Sequence, residues 1–235
     1  MMSRDKLRAW CVHVFTMSGA VCGFLALLNI TNNNAQDAIW WLIVALIIDG
    51  VDGTLARRFK VTEHLPDVDG ATIDNIVDYF TYVIIPAYYI WWFGLVPEGW
   101  ATPAAIAILM SSQYHFSDLR HKTHDNYFRG FPAIWNLVIF GFYVFEPNPM
   151  LTLFIIFALS LATFLPLKFV HPFRVERLRR TNLTVAGLGS LALIAAVATA
   201  PEPTGAAKLV IALATGYFLL VGIHRSVTER DGPET

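Results

Sequence analysis

The feature that most constrains this chain is a series of eight apolar runs separated by short polar loops. Their lengths are close to the roughly 17–25 residues that a helix needs to cross the hydrocarbon layer of a membrane. The fourth and fifth runs are short and are interrupted by polar or proline residues. The predicted spans are 12–30, 38–56, 72–95, 101–117, 131–146, 149–169, 183–200 and 206–223. We therefore expect an all-α bundle of about eight transmembrane helices.

The composition excludes most soluble folds. Hydrophobic residues fill 55% of the 235 positions and charged residues only 15%, and the mean hydropathy is +0.51. A soluble core does not need so apolar a chain. The loops leave no room for a separate soluble domain, so we expect residues 1–235 to form a single integral membrane domain. The formal net charge of -1 indicates neither a nucleic acid nor an acidic partner.

The basic residues predict how the chain is oriented in its membrane. Lys and Arg concentrate in the N-terminal stretch and in the loops after the second, fourth, sixth and eighth runs, whereas the alternate loops hold none apart from Lys208 at the foot of the last run. Basic loops remain on the cytoplasmic side of a membrane. We therefore expect both termini, and the loop between the second and third runs, to be cytoplasmic.

Four acidic residues lie in or beside the second and third runs. Asp49 and Asp52 are three residues apart, and Asp74 and Asp78 are four apart, so each pair shares one face of a helix. Both pairs lie near the same cytoplasmic loop and are expected to converge. A carboxylate deep in a membrane helix costs roughly 2.5–3.5 kcal/mol, so something positive must lie among the four.

Neighbouring residues indicate what the positive group is. Mg²⁺ and Mn²⁺ commonly combine protein carboxylates with the phosphate oxygens of a substrate. Gly53 and Gly70 allow a bulky anion to approach the backbone, and Arg57 supplies a bidentate donor for phosphate. Buried ion pairs or a proton relay would also explain four acids in or beside the spans, but the glycines and the arginine favour a metal and a phosphate.

These residues carry a resemblance to a known family. The stretch "DGVDGTLARR", followed by "GATIDNIVD", resembles the signature of the CDP-alcohol phosphotransferases. The matching positions are Asp49, Asp52, Gly53, Ala56, Arg57, Gly70, Asp74 and Asp78. Residues 58–69 form a longer connection than the usual pattern has, so the family's loop contacts to the nucleotide do not carry over. Each helix keeps its internal spacing, so the family's metal ligands carry over to these positions.

The resemblance assigns roles to the matching residues. It implies two Mn²⁺ or Mg²⁺ ions and makes Asp78 the general base as well as a metal ligand. The implied metal ligands are Asp49, Asp52, Asp74 and Asp78. The implied nucleotide-binding residues are Asp52, Gly53, Ala56, Arg57 and Gly70.

The whole chain, in its length, its eight runs and its longer loop, is similar to a bacterial branch of that family whose acceptor is choline. The resemblance implies transfer of a phosphatidyl group from CDP-diacylglycerol to choline, release of CMP, a place in the bacterial inner membrane and a homodimer. Inositol phosphate, glycerol phosphate and serine are alternative acceptors. An anionic acceptor needs extra cations near the acids, and the third run has none between Asp78 and Pro97.

A choline acceptor predicts an aromatic site. The trimethylammonium group is charged but has no hydrogen-bond donor, so aromatic faces are the groups that remain to bind it. Tyr82 follows Asp78 by four residues, and Tyr114 and Trp135 lie near the cytoplasmic ends of the fourth and fifth runs. A cation transporter is the alternative from a different class of protein. It would favour repeats and broken helices near the membrane midplane, and the sequence shows no internal repeat.

Overall fold

The computed structural model describes residues 3–120 and 123–228, and most of these residues are helical. The helices are α1 (Arg4–Thr31), α2 (Ala35–Arg58), α3 (Val61–His64), α4 (Gly70–Asp78), a π-helix (Tyr79–Ile84), α5 (Ile85–Trp92), α6 (Ala101–Ser117), α7 (Trp135–Phe145), α8 (Pro149–Ala162), α9 (Arg179–Ala198) and α10 (Gly205–Thr228). Two short strands, β1 (Phe128–Arg129) and β2 (Lys168–Phe169), pair antiparallel.

The apolar runs of the sequence form helices, as predicted. Among the described residues, four helices are long and apolar enough to cross a membrane, namely α1, α2, α9 and α10, and α7 and α8 are shorter apolar helices. The third run is a continuous helical stretch of α4, the π-helix and α5. A mostly helical membrane architecture is therefore confirmed.

The predicted end of the sixth run is wrong. We expected a span over 149–169, but α8 ends at Ala162. Pro166 follows, and proline cannot donate the backbone hydrogen bond that a continuing helix needs. The chain then forms the strand Lys168–Phe169, which pairs with Phe128–Arg129.

The predicted start of the fifth run is also too early. That run was expected over 131–146, whereas α7 begins at Trp135. The backbone just before it is left-handed at Gly130 (φ 76°) and at Ala133 (φ 56°), a conformation outside the right-handed helix. A Cβ on Gly130 would overlap the carbonyl group of Thr163, so only glycine permits this approach.

The first compact unit comprises residues 1–93. Within it α1 packs along α2, and α4 and the π-helix pack against α1. Two glycines of α1 allow this close packing. A Cβ on Gly19 would lie 2.7 Å from Val77 Cγ1, and one on Gly23 would lie 2.7 Å from the Phe80 ring. Small residues at such positions let helix backbones approach closely inside a membrane.

The second compact unit comprises residues 94–235. Arg225, near the end of α10, is 3% exposed, and its Nε donates a hydrogen bond of 2.9 Å to Asp125 Oδ2. Its guanidinium also lies 5.7 Å from the centre of the Tyr127 ring. The backbone N–H of Lys168 in β2 donates to Ser226 Oγ. These contacts fasten the end of α10 to β2 and to the loop that contains Asp125.

Candidate active site

Three of the four predicted acids converge in the first unit. Asp49 comes from α2, and Asp74 and Asp78 come from α4. One oxygen of each lies within 4.8 Å of the other two, and all three residues are half-buried. Within residues 3–120 and 123–228, this is the one cluster of three or more acidic, His or Cys side chains close enough to hold a metal ion.

The fourth acid, Asp52, lies outside that cluster. It is 5% exposed on α2 and forms a side-chain hydrogen bond with Thr16 of α1. The Val12 carbonyl one turn earlier is a second acceptor, 3.3 Å from Thr16 Oγ1, for the single proton of this hydroxyl. The first helix therefore contributes a polar contact to the signature, although the sequence analysis assigned it no role.

Helix α4 begins at a well-formed cap. The carboxylate of Asp69 accepts hydrogen bonds from the backbone N–H of Ala71 (3.0 Å) and of Thr72 (3.3 Å), and from Thr72 Oγ1 (2.6 Å). The Thr72 hydroxyl and these N–H groups hold the pKa of Asp69 below its usual range. Asp69 was not among the predicted site residues, although an Asp just before a helix is a recognised capping signal.

The long connection between α2 and α4 is itself ordered. It contains the single turn of α3, which follows Lys60 in a left-handed conformation (φ 49°). Val61 is buried against Ala9 and Val12 of α1, and Ala56 packs on the same apolar cluster. The extra residues therefore form a turn that is packed on α1.

Arg57 is exposed at the end of α2 and lies over Gly53. Its Nη2 donates to Thr54 Oγ1 (3.3 Å), and a Cβ on Gly53 would lie 3.5 Å from Arg57 Nη1. The guanidinium retains further N–H donors, because one of the five is used in this bond. The arrangement suits a phosphate that binds close to the Gly53 backbone.

Gly70 lies against a histidine that sequence analysis did not single out. A Cβ on Gly70 would be 3.0 Å from His13 Cε1, which is tighter than most real Cβ contacts. The His13 side chain is 3% exposed, and its Nε2 has no hydrogen-bond partner among the residues that the structure describes. A single histidine within an apolar run gave no signal of this contact, because the partner lies on a different helix.

Tyr82 lies beside the carboxylate cluster. It is 8% exposed, and its hydroxyl donates a hydrogen bond of 2.5 Å to Asp49 Oδ2. The residue belongs to the π-helix Tyr79–Ile84, which begins directly after Asp78. The spacing of four residues predicted that Tyr82 lies one α-helical turn beyond Asp78, and the π-helical backbone between them differs from that prediction.

The other two aromatic candidates belong to the second unit. Trp135 is fully buried, and its indole N–H donates to Ser112 Oγ (2.9 Å). Tyr114 is exposed, and its ring lies 4.9 Å from that of Phe164. The rings of Tyr114 and Phe164 line a cavity of about 200 Å³, and Arg129 is a further lining residue of this cavity.

The carboxylate cluster has the chemistry of a divalent metal site. Three like charges at these separations repel one another, and a cation among them removes that cost. An all-oxygen donor set suits the hard ions Mg²⁺ and Mn²⁺, whereas zinc sites usually include nitrogen or sulfur ligands. The residues present therefore fit a magnesium or manganese ion.

Comparison with known proteins is consistent with this geometry. Residues 9–170 match the CDP-alcohol phosphatidyltransferase family. A phosphatidylcholine synthase of Rhizobium meliloti is 38% identical over 220 residues, covering 92% of this chain and 89% of the relative. That of Pseudomonas aeruginosa is 38% identical over 225 residues (96% and 94%). That of Borreliella burgdorferi is 34% identical over 233 residues (98% and 100%).

Proposed function

The chain belongs to the CDP-alcohol phosphatidyltransferase family, and we propose that it transfers the phosphatidyl group of CDP-diacylglycerol to choline, giving phosphatidylcholine and CMP. The observation that carries this proposal is the convergence of Asp49, Asp74 and Asp78 at the signature positions. The name shared by relatives that match nearly the whole chain supports choline as the acceptor.

The metal ligands in this proposal are the four acids of the signature. Asp49, Asp74 and Asp78 form the cluster, and Asp52 completes the set that the family resemblance implies. Two bound Mn²⁺ or Mg²⁺ ions would neutralise the diphosphate of CDP-diacylglycerol and the charge that develops on the departing CMP. Without such neutralisation, the acidic cluster would repel this anionic substrate.

Asp78 is the proposed general base. Its carboxylate accepts the proton of the choline hydroxyl while the choline oxygen forms a bond to the lipid-side phosphorus. The bond between that phosphorus and the bridging oxygen breaks, and the electron pair leaves with CMP. An alcohol is a poor nucleophile at neutral pH, so a base within hydrogen-bond reach is required.

The nucleotide lies, in our proposal, along the end of α2 and the start of α4. Arg57 donates to a phosphate, and the backbone at Gly53, Ala56 and Gly70 lets the nucleotide approach closely. Asp52 is the fifth of the proposed nucleotide-binding residues. The exposure of Arg57 and its position over Gly53 support this assignment.

The acceptor site is proposed from aromatic chemistry. Tyr82, Tyr114 and Trp135 are its candidate residues, because each aromatic face contributes about 0.5–2 kcal/mol to binding a quaternary ammonium. Tyr82 has the strongest support, since it contacts Asp49. The substitution Tyr82→Ala should raise the KM for choline several-fold or more, and an unchanged KM would remove Tyr82 from this site.

We place the protein in the bacterial inner membrane as a homodimer with eight spans, and with both termini and the active site on the cytoplasmic side. The distribution of Lys and Arg supports this orientation. Reporters within 117–130 and after Arg230, which lies outside the described residues, should behave as cytoplasmic. A reporter within 31–37 should be external, and the reverse result would refute the proposed orientation.

The decisive experiment is a panel of acceptors. Membranes that contain the protein are incubated with CDP-diacylglycerol, Mn²⁺ and labelled choline, serine, glycerol phosphate or inositol phosphate. We expect choline alone to label lipid, in an amount that matches the CMP released. Label from another alcohol would keep the chemistry but replace the acceptor, and no label from any of them would overturn the activity.

A further inference from the structure

The hydroxyl of Tyr82 has a defined contact that the proposed reaction does not use. It donates to Asp49 Oδ2 at 2.5 Å, and the tyrosine is buried. A carboxylate has two oxygens with several lone pairs between them. The hydrogen bond therefore restrains the orientation of the Asp49 carboxylate.

The backbone that presents Tyr82 is unusual. The residues Tyr79–Ile84 form a π-helix that begins immediately after Asp78. A π-helix uses hydrogen bonds between residues i and i+5 rather than i and i+4, so each hydrogen-bonded loop holds one more residue, and such segments are frequent at functional sites. The extra residue rotates the side chains beyond Asp78 relative to the α-helical arrangement.

Contacts with the first helix hold this π-helix in place. The ring of Phe80 and the methyl group of Thr81 lie against Gly23 of α1, where a Cβ would be 2.7 Å and 3.1 Å from them. The Thr81 hydroxyl donates to the Val77 carbonyl at 2.9 Å. The neighbours of Tyr82 are therefore fixed from two directions, which sets where its hydroxyl can point.

From this geometry we infer that Tyr82 is a positioning residue, whose hydroxyl orients the Asp49 carboxylate for metal binding. The inference rests on the proposed function, because it takes Asp49 as a metal ligand. It assigns Tyr82 a role through its hydroxyl, in addition to the acceptor role proposed for its ring. Groups that orient metal ligands typically contribute a factor of about 10–100 in metal affinity or activity.

The test is the substitution Tyr82→Phe, which removes the hydroxyl and keeps the ring. Binding of Mn²⁺ alone to the purified protein is followed by the electron paramagnetic resonance signal of the free ion, without either substrate. We expect the Kd for Mn²⁺ to rise about tenfold or more. The kcat should fall at limiting Mn²⁺, whereas the KM for choline should stay within about twofold, because the ring is retained.

A matched control removes a hydroxyl elsewhere in the same helical stretch. Tyr88 lies in α5, where its ring stacks on that of Trp91. The substitution Tyr88→Phe keeps this stacking and should leave Mn²⁺ binding unchanged. An equal loss in both variants would attribute the effect to packing of the helix and would refute the inference.

A second variant tests whether Tyr82 acts through Asp49. In Asp49→Asn, which already weakens Mn²⁺ binding, the added change Tyr82→Phe should have no further effect on the Kd, because coupled residues are not additive. Unchanged Mn²⁺ affinity in Tyr82→Phe alone would overturn the inference. If the wild type labels no lipid from choline but Tyr82→Phe still weakens Mn²⁺ binding, the proposed function fails and the positioning role stands.

Discussion

In the unit of residues 1–93, half-buried charges of the same sign lie together, whereas in the unit of residues 94–235 a buried arginine lies against an aspartate. Asp49, Asp74 and Asp78 place their oxygens within 4.8 Å of one another. Arg225 donates directly to Asp125. The first arrangement raises the free energy of the folded protein unless a cation joins it, and the second is electrostatically compensated within the chain.

This difference separates a binding site from a structural contact. A ligand can offset the cost of such a cluster of like charges, so Asp49, Asp74 and Asp78 could hold a cation. An ion pair needs no ligand, so the pair in the second unit serves the fold. Substitutions in the two units should therefore affect different measurements.

The largest effect should come from the acids of the first unit. Replacement of any one by Ala should lower activity at least about a hundredfold, the scale of a lost general base or of weakened metal binding. The variants are Asp49→Ala, Asp52→Ala, Asp74→Ala and Asp78→Ala. EDTA should abolish wild-type activity, and Mn²⁺ or Mg²⁺ should restore it. Full activity in Asp74→Ala, measured by lipid labelling, would show that the cluster is not the metal site.

In the second unit, Asp125→Ala should act on stability. It leaves the buried guanidinium of Arg225 without this carboxylate, and breaking such a pair costs about 3 kcal/mol, less to the extent that Asp125 is exposed. We expect a free energy of unfolding lower by about 2 kcal/mol and an unchanged Kd for Mn²⁺. Weaker Mn²⁺ binding in the folded variant would erase the distinction between the two units.

Lowering the pH should reproduce part of the loss of stability that is expected for Asp125→Ala. Partial burial raises the pKa of Asp125, but the hydrogen bonds from Arg225 and Thr123 outweigh it and lower the pKa overall. The resulting stabilisation is fully present above the unfolded carboxyl pKa of about 4 and is lost as pH falls through the lower folded value. The difference in Tm between the wild type and Asp125→Asn should therefore shrink from pH 7 to about pH 3. A constant difference would contradict this linkage.

Close packing gives a further contrast between the units. In the first, Gly23→Ala places a Cβ 2.7 Å from the Phe80 ring, and such overpacking should cost about 1–3 kcal/mol of stability. In the second, a Cβ on Gly216 of α10 meets nothing within 4 Å. Gly216→Ala should therefore be neutral or stabilise by up to about 1 kcal/mol. Equal effects of the two substitutions on Tm would contradict the packing described for α1.

The smallest effect on activity should come from Asp69. Its carboxylate caps the helix that carries two of the acids, so Asp69→Ala should lower Tm and reduce activity by no more than about fivefold. Asp69→Asn, which retains an acceptor oxygen, should be closer to the wild type, and Asp67→Ala serves as the exposed control. A loss in Asp69→Ala as large as that in Asp78→Ala would make Asp69 part of the site.

Local patterns predicted much of this arrangement. The spacing of Asp74 and Asp78 placed both on one face of a helix, and the loop that joins this helix to α2 predicted that Asp49 would meet them. Apolar runs predicted the helices, because a membrane requires long uninterrupted apolar segments. The cap at Asp69 was also readable from the sequence but was overlooked.

Other features depend on residues that are distant in the chain. The hydrogen bond between Asp49 and Tyr82 joins residues 33 apart, and the contact of Gly70 with His13 joins two different helices. Neither follows from helical spacing. The π-helix has no simple pattern of residue types by which the sequence could have predicted it. The strand Lys168–Phe169 lay inside a predicted span, because hydropathy alone does not reveal backbone pairing.

The separation between Asp125 and Arg225 also has a consequence for biosynthesis. These partners lie 100 residues apart, so at roughly 5–20 residues per second about 5–20 s of translation pass between them. Asp49 and Tyr82 are 33 residues apart, and only about 2–7 s separate them. Throughout the longer interval the nascent chain already contains every acid of the signature. The helix α10, which carries the Arg225 partner of Asp125, has not yet been completed. A ribosome that stalls in this interval leaves a chain that contains all four acids of the signature but lacks Arg225, the partner of Asp125.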